Sequence, residues 1–528
     1  MNTPAHHKPL LTRPWVSALI VVGVCALVYW PMLGSGGLTA TEGHRAIPAW
    51  SMLDSGDWVV PRLFGQAYLR KPPGIQWAIA LSSEVFGETE FAARAVSALS
   101  CTAMALVAWG FAGRWFGWRS ALAGGVAQAL MPWMWTVGRQ AEIEALHTVM
   151  VQVACLGVMD VMMRTGRVRA LGAVVGAAVI ALGVSGMVLT KGPAGAPALV
   201  GAFLGACLVR RAWRPSAWAT VWIGIGVAGA AIGVALFEIS SALGRTGETP
   251  VLQSAGAFLF EPGRLAEIAL LAPGAWAAML PASIALLFPW GPDARAEAGA
   301  SAEAQERWVR ARGLTWAWVI AIGIYVVTGV GNVRYAMPAG VFVAPLVASV
   351  FTAWREGGLA RARAAIARAA CLGHPAVICC LLLVGAWGWI TFGERALRAK
   401  SGREAGIELG EALLADGADR VWADDLVEAR PEVLAYAQRR VRAGGGEVEV
   451  LWKPGLGGVV KPPVGAWVVA REDAESNERE RVVNLVKPGW VVWGYEGSVH
   501  RYRFALGRVA GATEAGEGVV DEEGESGG

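Results

Sequence analysis

The sequence predicts a polytopic α-helical membrane protein with about eleven or more transmembrane helices, followed by a small α/β domain outside the cytoplasm. The 528 residues are 55% hydrophobic and only 17% charged, whereas soluble domains carry about 25% charged residues. The mean hydropathy of +0.45 agrees with this excess. The hydrophobic residues fall in uncharged blocks long enough to cross a bilayer, which takes about 20 residues of helix.

Eleven hydrophobic blocks qualify as membrane-spanning helices. The first block follows a basic segment and is too long for the hydrophobic region of an ordinary signal peptide, so we interpret it as an uncleaved helix. The predicted cores are 15–33, 95–113, 121–137, 145–163, 170–190, 193–209, 217–237, 268–290, 314–330, 336–351 and 376–392.

The basic residues of the short loops predict how these helices are oriented. With the N-terminus in the cytoplasm, arginine-rich loops alternate with acidic or balanced loops, as the positive-inside bias requires. An odd number of helices places the C-terminal residues outside the cytoplasm. The non-cytoplasmic loops are then 34–94, 138–144, the turn at Lys191, 238–267 and 331–335.

The long first external loop, residues 34–94, has the composition of a folded segment. Gly43–Leu53 carries hydrophobic residues at helical spacing, and Gly74–Val85 is hydrophobic but too short to span a bilayer. Both segments suit helices that lie at the membrane interface. We assign the loop to a transmembrane domain that covers residues 1–392.

Residues 393–510 form a predicted soluble domain in which helices and strands alternate, a pattern typical of a small α/β fold. Residues 511–528 are rich in glycine and glutamate and are expected to be disordered. The predicted helices are Arg403–Ala415, Pro431–Arg442 and a charged segment at 473–486. The predicted strands are Arg420–Ala423, Glu447–Trp452, Ala466–Ala470, Trp490–Trp493 and Arg501–Ala505.

Two carboxylates lie in the loops that the topology places on the external side. Glu42 follows the first span by a few residues, and Glu144 begins the fourth span at a helix N-terminus, which favours negative charge. Such carboxylates are candidates for a general base or for ligands of a metal ion. The simpler alternatives are a solvated loop residue for Glu42 and a charged helix cap for Glu144.

Three cations share this side of the membrane, although the positive-inside bias would place them on the other. Lys71 precedes two stiffening prolines, Lys191 joins two spans, and Arg334 starts another span. A cation held at the interface can bind a lipid phosphate, whereas snorkelling at the bilayer edge is the simpler alternative. Opposite charges at one depth together predict a site that binds an anionic substrate and performs acid–base chemistry.

Several motifs resemble those of a known family. The run Thr41-Glu42 … Ser55-Gly-Asp-Trp58 … Lys71-Pro-Pro resembles the opening of the bacterial GT-C membrane glycosyltransferases. These comprise the 4-amino-4-deoxy-L-arabinose (lipid A) transferases and the related protein O-mannosyltransferases. Further similar segments, spread over nearly the whole chain, are Gln140–Leu146, Leu189-Thr-Lys-Gly-Pro193, Phe288-Pro-Trp290, and Arg334-Tyr335 with Pro338.

The resemblance implies an inverting transfer of a sugar from a polyprenyl-phosphate donor to an acceptor at the periplasmic face of a bacterial inner membrane. Glu42 and Glu144 would be the catalytic carboxylates and the candidate ligands of a divalent cation, the one cofactor expected. The expected partners are the donor, a lipid or protein acceptor and membrane lipids, without nucleic acid. The residues that would contact the donor phosphate are Lys71, Arg334, Tyr335, Lys191, Arg45 and His44.

The chain departs from the family pattern at several of these positions. Thr41 stands where the family has Asp, so Glu42 would take over the carboxylate role. His44 stands at the position of a phosphate-binding Arg, and Arg70 replaces the Glu before Lys-Pro-Pro. Glu144 stands where the family has Asp. The family pattern therefore predicts least about the acceptor and the metal, because the residues expected to contact them differ in this chain.

Two other classes of function remain open from the sequence. A transporter or flippase for a lipid-linked sugar would also need an external anion site, but such proteins usually carry polar groups at mid-membrane and inverted repeats. The main charge recognised inside a span is Asp160, near its cytoplasmic end. A non-catalytic membrane binding protein would instead carry its function in residues 393–510.

Overall fold

The structure of the protein is a computed structural model. The described residues divide into two compact units. The helical unit takes Met1–Leu33, Leu69–Glu248 and Leu252–Thr391, and the mixed unit takes Gly34–Tyr68, Thr249–Val251 and Phe392–Gly528. The residues described are 13–164, 169–210, 214–248, 251–252, 265–290, 302–328, 333–355, 375–393, 402–423, 426–427, 430–452, 467–471, 491–499 and 502–509.

The α-helices account for most of the described residues. Three 3₁₀ segments, Gly192–Gly195, Ala282–Trp290 and Val333–Phe342, and a π-helical turn, Trp389–Gly393, accompany them. The α-helices are α1 Pro14–Tyr29, α2 Ala40–Ser55, α3 Gly74–Phe86, α4 Glu90–Phe116, α5 Trp118–Ala129, α6 Pro132–Val137, α7 Ile143–Met163, α8 Ala170–Lys191, α9 Ala196–Val209, α10 Pro215–Thr246, α11 Leu265–Ala278, α12 Ala302–Val327, α13 Val343–Arg355, α14 Pro375–Gly388, α15 Arg403–Ala415 and α16 Pro431–Ala443.

The helices confirm the prediction of a polytopic helical membrane protein. Helix is present within every predicted span, and the described residues include six helical stretches long and apolar enough to cross a membrane. One of these, Ala170–Val209, contains α8, the 3₁₀ turn and α9 in 40 residues, so it has the length of two spans. The number of eleven spans stays a prediction. The six stretches are Glu90–Phe116, Ile143–Met163, Ala170–Val209, Pro215–Thr246, Ala302–Val327 and Val333–Arg355.

The two short segments of the first external loop also form helices. Gly43–Leu53 lies within α2, and Gly74–Val85 lies within α3. Their helical character is confirmed, whereas their position at the membrane interface stays a prediction. The two helices belong to different units: α2 to the mixed unit and α3 to the helical unit.

Within the helical unit, α9 packs closely along α12 through two glycines spaced four residues apart. A methyl group added at Gly205 would lie 2.7 Å from the backbone nitrogen of Ala317 and 2.7 Å from the carbonyl oxygen of Gly313. At Gly201 it would meet the carbonyl oxygen of Ala317. Small residues at this spacing let transmembrane helices approach closely, so their packing rests on van der Waals contact.

This contact predicts the outcome of a single added methyl group. Gly205→Ala is expected to lower the free energy of unfolding by about 1 to 3 kcal/mol, because the backbone of α12 has to move away. Gly226→Ala in α10 is the control, since a methyl group there meets nothing within 4 Å. Thermal unfolding of both variants in detergent measures the difference. Equal midpoints for the two variants would contradict the packing.

Two buried arginines hold the end of α1 and the segment after it. Arg139 and Arg94 are each 1% exposed. The last carbonyl groups of a helix have no partner within it and carry partial negative charge, so the guanidinium groups supply the missing donors. Arg94 donates to the carbonyl of Leu33 at 3.1 Å. Arg139 donates to the carbonyl oxygens of Val28 at 3.3 Å, Tyr29 at 3.0 Å and Pro31 at 2.6 Å.

The mixed unit contains a five-stranded sheet in the order β5-β4-β6-β8-β7. The strand pairs β4–β5 and β4–β6 are parallel, whereas β6–β8 and β8–β7 are antiparallel. Parallel neighbours need a crossover, and α16 lies between β4 and β5 in the chain. The strands are β4 Arg420–Trp422, β5 Glu449–Leu451, β6 Trp467–Arg471, β7 Val491–Val499 and β8 Tyr502–Val509, besides the short β1 Arg62–Leu63, β2 Gln66–Leu69 and β3 Val251–Leu252.

The alternation of helices and strands predicted for residues 393–510 is present in the described residues. Helix α15 has the predicted bounds, and α16 extends one residue beyond Arg442. All five predicted strands coincide with observed strands to within a few residues, except that β7 continues to Val499. The predicted helix at 473–486 and the predicted disordered tail at 511–528 lie outside the described residues.

Residues 34–68 pack with the C-terminal residues within the mixed unit. The hydroxyl of Tyr436 in α16 accepts a hydrogen bond from the backbone nitrogen of Leu38 at 2.8 Å. The indole of Trp452 donates to the carbonyl of Leu63 at 3.0 Å. The sequence-based division instead placed the whole loop 34–94 with residues 1–392. These hydrogen bonds join residues nearly 400 positions apart, which no local pattern reveals.

Candidate functional site

Glu144 forms ion pairs with two cations that come from other elements of the helical unit. Its Oε1 lies 3.0 Å from Nζ of Lys191 and 2.9 Å from Nε of Arg334. Glu144 lies in the first turn of α7, Lys191 is the last residue of α8, and Arg334 lies in the 3₁₀ segment Val333–Phe342. The structure therefore brings together three residues that the sequence could place only on a common face.

The low exposure of this cluster strengthens the interactions between its charges. The side chains of Glu144 and Lys191 are 3% and 5% exposed, whereas that of Arg334 is 40% exposed. Opposite charges that are removed from water attract each other strongly, but a buried charge that loses its partner destabilises the protein. One carboxylate lies between two cations, and the buried Glu142 carboxylate also acts electrostatically on both of them. The cluster is thus a buried ion-pair group with a half-exposed guanidinium.

Lys191 also contacts an aromatic ring. Its ammonium lies 4.5 Å from the ring centroid of Tyr335, a cation–π contact. The position of Lys191 follows from the local sequence, because Gly192 adopts a φ of +68° and ends α8 before Pro193. The Lys-Gly-Pro turn therefore presents the lysine to the cluster.

Lys71 belongs to the same unit, and the segment after it packs on the helix end that carries Lys191. A methyl group added at Gly74, the first residue of α3, would lie 2.7 Å from the carbonyl oxygen of Leu189. Only glycine allows this approach of α3 to α8. Lys71 is half-buried and lies close enough to His147 of α7 to act on it electrostatically.

His147 is a buried residue that the sequence analysis missed. Its Nδ1 lies 3.2 Å from the carbonyl oxygen of Met187, and it therefore donates, because a carbonyl only accepts. The neutral ring then carries its lone pair on Nε2, which is buried and has no hydrogen-bond partner among the described residues. His147 follows Glu144 by three residues, so it lies on a neighbouring part of the same helix surface. That spacing is the feature of the sequence from which His147 could have been predicted as a site residue.

Glu42 has a well-defined structural role in the mixed unit. Its Oε2 accepts hydrogen bonds from the backbone nitrogen of Thr39 at 2.9 Å and from its hydroxyl at 3.2 Å. This is a capping box at the N-terminus of α2, where a negative charge is favoured. Glu42 is only 1% exposed. It is therefore neither a solvated loop residue nor a mobile side chain.

His44 and Arg45 have partners within the mixed unit. Nδ1 of His44 shares a hydrogen bond of 3.2 Å with the hydroxyl of Tyr68, and the two rings are stacked at 5.7 Å. Arg45 donates to the carbonyl of Thr41 at 2.7 Å, within its own helix. Both residues were expected to contact the donor phosphate, and that role stays a prediction.

The carboxylates offer limited room for a metal ion. The described residues contain no group of three or more His, Cys, Asp or Glu side chains arranged to hold one. Glu144 already has two cations on one oxygen, and both would repel a divalent ion bound to the same carboxylate. Such an ion prefers several oxygen ligands. The ion pairs of Glu144 thus fit a divalent ion poorly, and metal binding by Glu42 and Glu144 stays a prediction.

Comparison with known proteins agrees with the motifs. The family described as dolichyl-phosphate-mannose-protein mannosyltransferase matches residues 70–237. An undecaprenyl phosphate-alpha-4-amino-4-deoxy-L-arabinose arabinosyl transferase of Pseudomonas savastanoi pv. phaseolicola is 38% identical over 96 residues. This alignment covers 18% of the chain and 18% of that relative. The matched family segment contains Lys71, Glu144 and Lys191.

The fold is shared over a much larger part of the chain. The crystal structure of apo ArnT from Cupriavidus metallidurans has a TM-score of 0.64 at 17% identity, covering 93% of this chain and 97% of that one. The same protein bound to undecaprenyl phosphate has a TM-score of 0.60 at 18% identity, covering 94% and 99%. The family match and the aligned segment agree with the resemblance that the motifs indicate, and the fold is shared with the two ArnT structures.

Proposed function

We propose that this protein is an inverting membrane glycosyltransferase that moves a sugar from a polyprenyl-phosphate donor to lipid A or another acceptor. The observation that carries the proposal is the buried cluster of Glu144, Lys191 and Arg334, with Lys71 in the same unit. A relative of the same fold has been solved with bound undecaprenyl phosphate. The location that fits this reaction is the periplasmic face of a bacterial inner membrane, with the C-terminal α/β residues in the periplasm.

The cations are the groups suited to a donor phosphate. Arg334 is half-exposed, so part of its guanidinium is accessible to an anion such as a phosphate. Lys71 and Lys191 add two ammonium groups near α7. Glu144 would then serve as the counterion that holds Lys191 and Arg334 in position, rather than as the group that removes a proton. Tyr335 would orient Lys191 through its ring.

The chemical step needs a base and a stabilised leaving group. The acceptor nucleophile attacks the anomeric carbon while its proton passes to the base, for which we propose Glu42. The bond between the anomeric carbon and the phosphate oxygen breaks, and its electron pair stays on the phosphate. Because the phosphate gains a negative charge in this step, preorganised cations lower the barrier. Direct displacement inverts the configuration at the anomeric carbon.

Replacement of Glu42 and Lys71 tests the proposal. The protein is reconstituted with a polyprenyl-phosphate sugar and lipid A, and released polyprenyl phosphate is measured. Glu42→Gln is expected to lower the rate about a hundredfold or more. Because glutamine also completes a capping box, this loss would reflect the missing charge rather than a frayed α2. Lys71→Ala is expected to lower the rate about a hundredfold.

Matched variants in the same region serve as controls. Asp54→Asn changes an exposed carboxylate of the helix that carries Glu42, and Arg62→Ala removes a cation of the same loop. Both are expected to keep the wild-type rate. Full turnover by Glu42→Gln and Lys71→Ala would refute the site. Repeating the assay with protein acceptors and with a metal chelator decides the acceptor class and the proposed divalent cation.

A transporter of lipid-linked sugars is the second candidate, and one observation favours it. Thr148 and Gln152 of α7 are buried, and their side-chain polar atoms have no hydrogen-bond partner among the described residues. Polar groups in the middle of a membrane are typical of transporters. Translocation of the donor without release of polyprenyl phosphate would favour this function over transfer.

A further inference from the structure

Glu432, in the first turn of α16, is a buried acid that has no role in the proposed reaction. It has no exposed surface, and neither carboxyl oxygen has a hydrogen-bond partner among the described residues. A charged carboxylate in this environment would pay a large desolvation cost, so the neutral acid is favoured. Burial raises the pKa of Glu432 to about 8, against lowering contributions from its own backbone amide and from Arg430, and Glu42 adds a smaller upward contribution.

Helix α2 approaches Glu432 directly. A methyl group added at Gly43 would lie 3.2 Å from the backbone nitrogen of Glu432 and 3.3 Å from its Cβ. Gly43 follows Glu42 in the chain, so the first turn of α2, which carries Glu42, lies against the start of α16 at Glu432. On another side, a methyl group added at Gly402 would lie 3.4 Å from Oε1 of Glu432. Gly43 thus leaves room for the start of α16, and Gly402 leaves room for the carboxyl group of Glu432.

The charges around the pair differ between its two members. Glu42 accepts hydrogen bonds from Thr39 at the N-terminus of α2, which favours its ionised form. Two charges act on Glu432: that of Arg430, which precedes α16 and lowers the pKa of Glu432, and that of Glu42 in α2, which raises it. Gly402, which precedes α15, lies at this point, and Arg403 of α15 lies over the ring of Tyr436 at 5.4 Å. One proton on the pair therefore goes to Glu432.

We propose that Glu42 and Glu432 form a carboxyl pair that holds a single proton, carried by Glu432. The neutral Glu432 is a positioning residue, because it allows α16 to pack against α2 while Glu42 keeps its charge. Two neighbouring carboxyl groups that share a site titrate as a pair, and one of them stays protonated well above its usual range. The catalytic consequence rests on the proposed role of Glu42 as the base.

Infrared difference spectroscopy of the full-length protein tests the pair without any activity. Spectra of wild type are recorded below and above about pH 8. The carbonyl band of a protonated carboxylic acid should be present at the lower pH and lost at the higher pH. Glu432→Gln should lack this change, and Glu404→Gln, an exposed acid of α15, should retain it. Persistence of the band change in Glu432→Gln would overturn the proposal.

Stability and rate provide the second readout. The folded-state pKa of Glu432 lies above its ordinary value of 4.5, so the folded protein binds more protons than the unfolded chain between about pH 4.5 and pH 8. Stability contributed by the neutral acid is therefore lost as the pH rises through this window. Glu432→Gln should remove that loss. It should also remove a decline in transfer rate of about tenfold per pH unit above 8, while keeping the neutral rate.

The outcomes separate this inference from the proposed function. A titrating band with no sugar transfer by wild type would refute the function and leave the pair standing. Transfer by wild type with an unchanged alkaline decline in Glu432→Gln would refute the positioning role. A folded Glu432→Gln variant that is inactive at neutral pH would also refute it, because glutamine reproduces the neutral side chain.

Discussion

Glu144→Gln is expected to lower the free energy of unfolding of the ligand-free protein by about 3 to 5 kcal/mol. The substitution removes the carboxylate that pairs with Lys191 and Arg334 and leaves a buried ammonium without its counterion. Polyprenyl phosphate is expected to restore much of this stability, because its phosphate supplies an anion to the same cations. Thermal unfolding in detergent, with and without undecaprenyl phosphate, measures both effects.

Glu306→Gln is the matched control for this experiment. Glu306 of α12 also pairs with two cations, Arg210 and Arg310, but its side chain is 19% exposed. Its removal is expected to cost about 1 kcal/mol or less. Undecaprenyl phosphate should raise the unfolding temperature of Glu306→Gln no more than that of wild type. If the ligand stabilised both variants equally, the cations at Glu144 would not be the phosphate site.

Arg139→Leu is expected to lower the free energy of unfolding by about 3 kcal/mol, through the contacts at the end of α1. Arg139 donates to three carbonyl groups while almost completely buried. Leucine would fill part of the volume but would leave the carbonyl oxygens without donors, and unpaired buried acceptors are costly. Chemical or thermal unfolding of the purified variant measures the loss.

Arg114→Leu provides the comparison for Arg139. Arg114 pairs with Asp160 at 2.9 Å, but its side chain is 53% exposed. The expected loss is about 1 kcal/mol or less, since a half-exposed ion pair is screened by solvent and Asp160 keeps a second partner in Arg164. Equal unfolding midpoints for the two variants would show that the three carbonyl contacts of Arg139 contribute little.

The candidate site illustrates what could be predicted from the sequence and what could not. Lys71, Lys191 and Arg334 were recognisable because cations on the external side oppose the positive-inside bias. Glu144 was recognisable from its place at the start of a span. Their ion pairs were not, since they join residues 47 and 190 positions apart. The capping box of Glu42 was overlooked, although Thr39 and Glu42 have the required spacing.

The sequence by itself determined the helices that can cross a membrane, the order of the C-terminal elements and the resemblance to a known family. These features depend on runs and periodicities of neighbouring residues, which are local properties. Only the tertiary structure decided which charges meet, that residues 34–68 pack with the C-terminal residues, and that Glu432 is buried beside α2. Burial and pairing arise when elements distant in the chain are packed together, so the protonation of Glu432 and the counterion role of Glu144 have no signature in the local sequence.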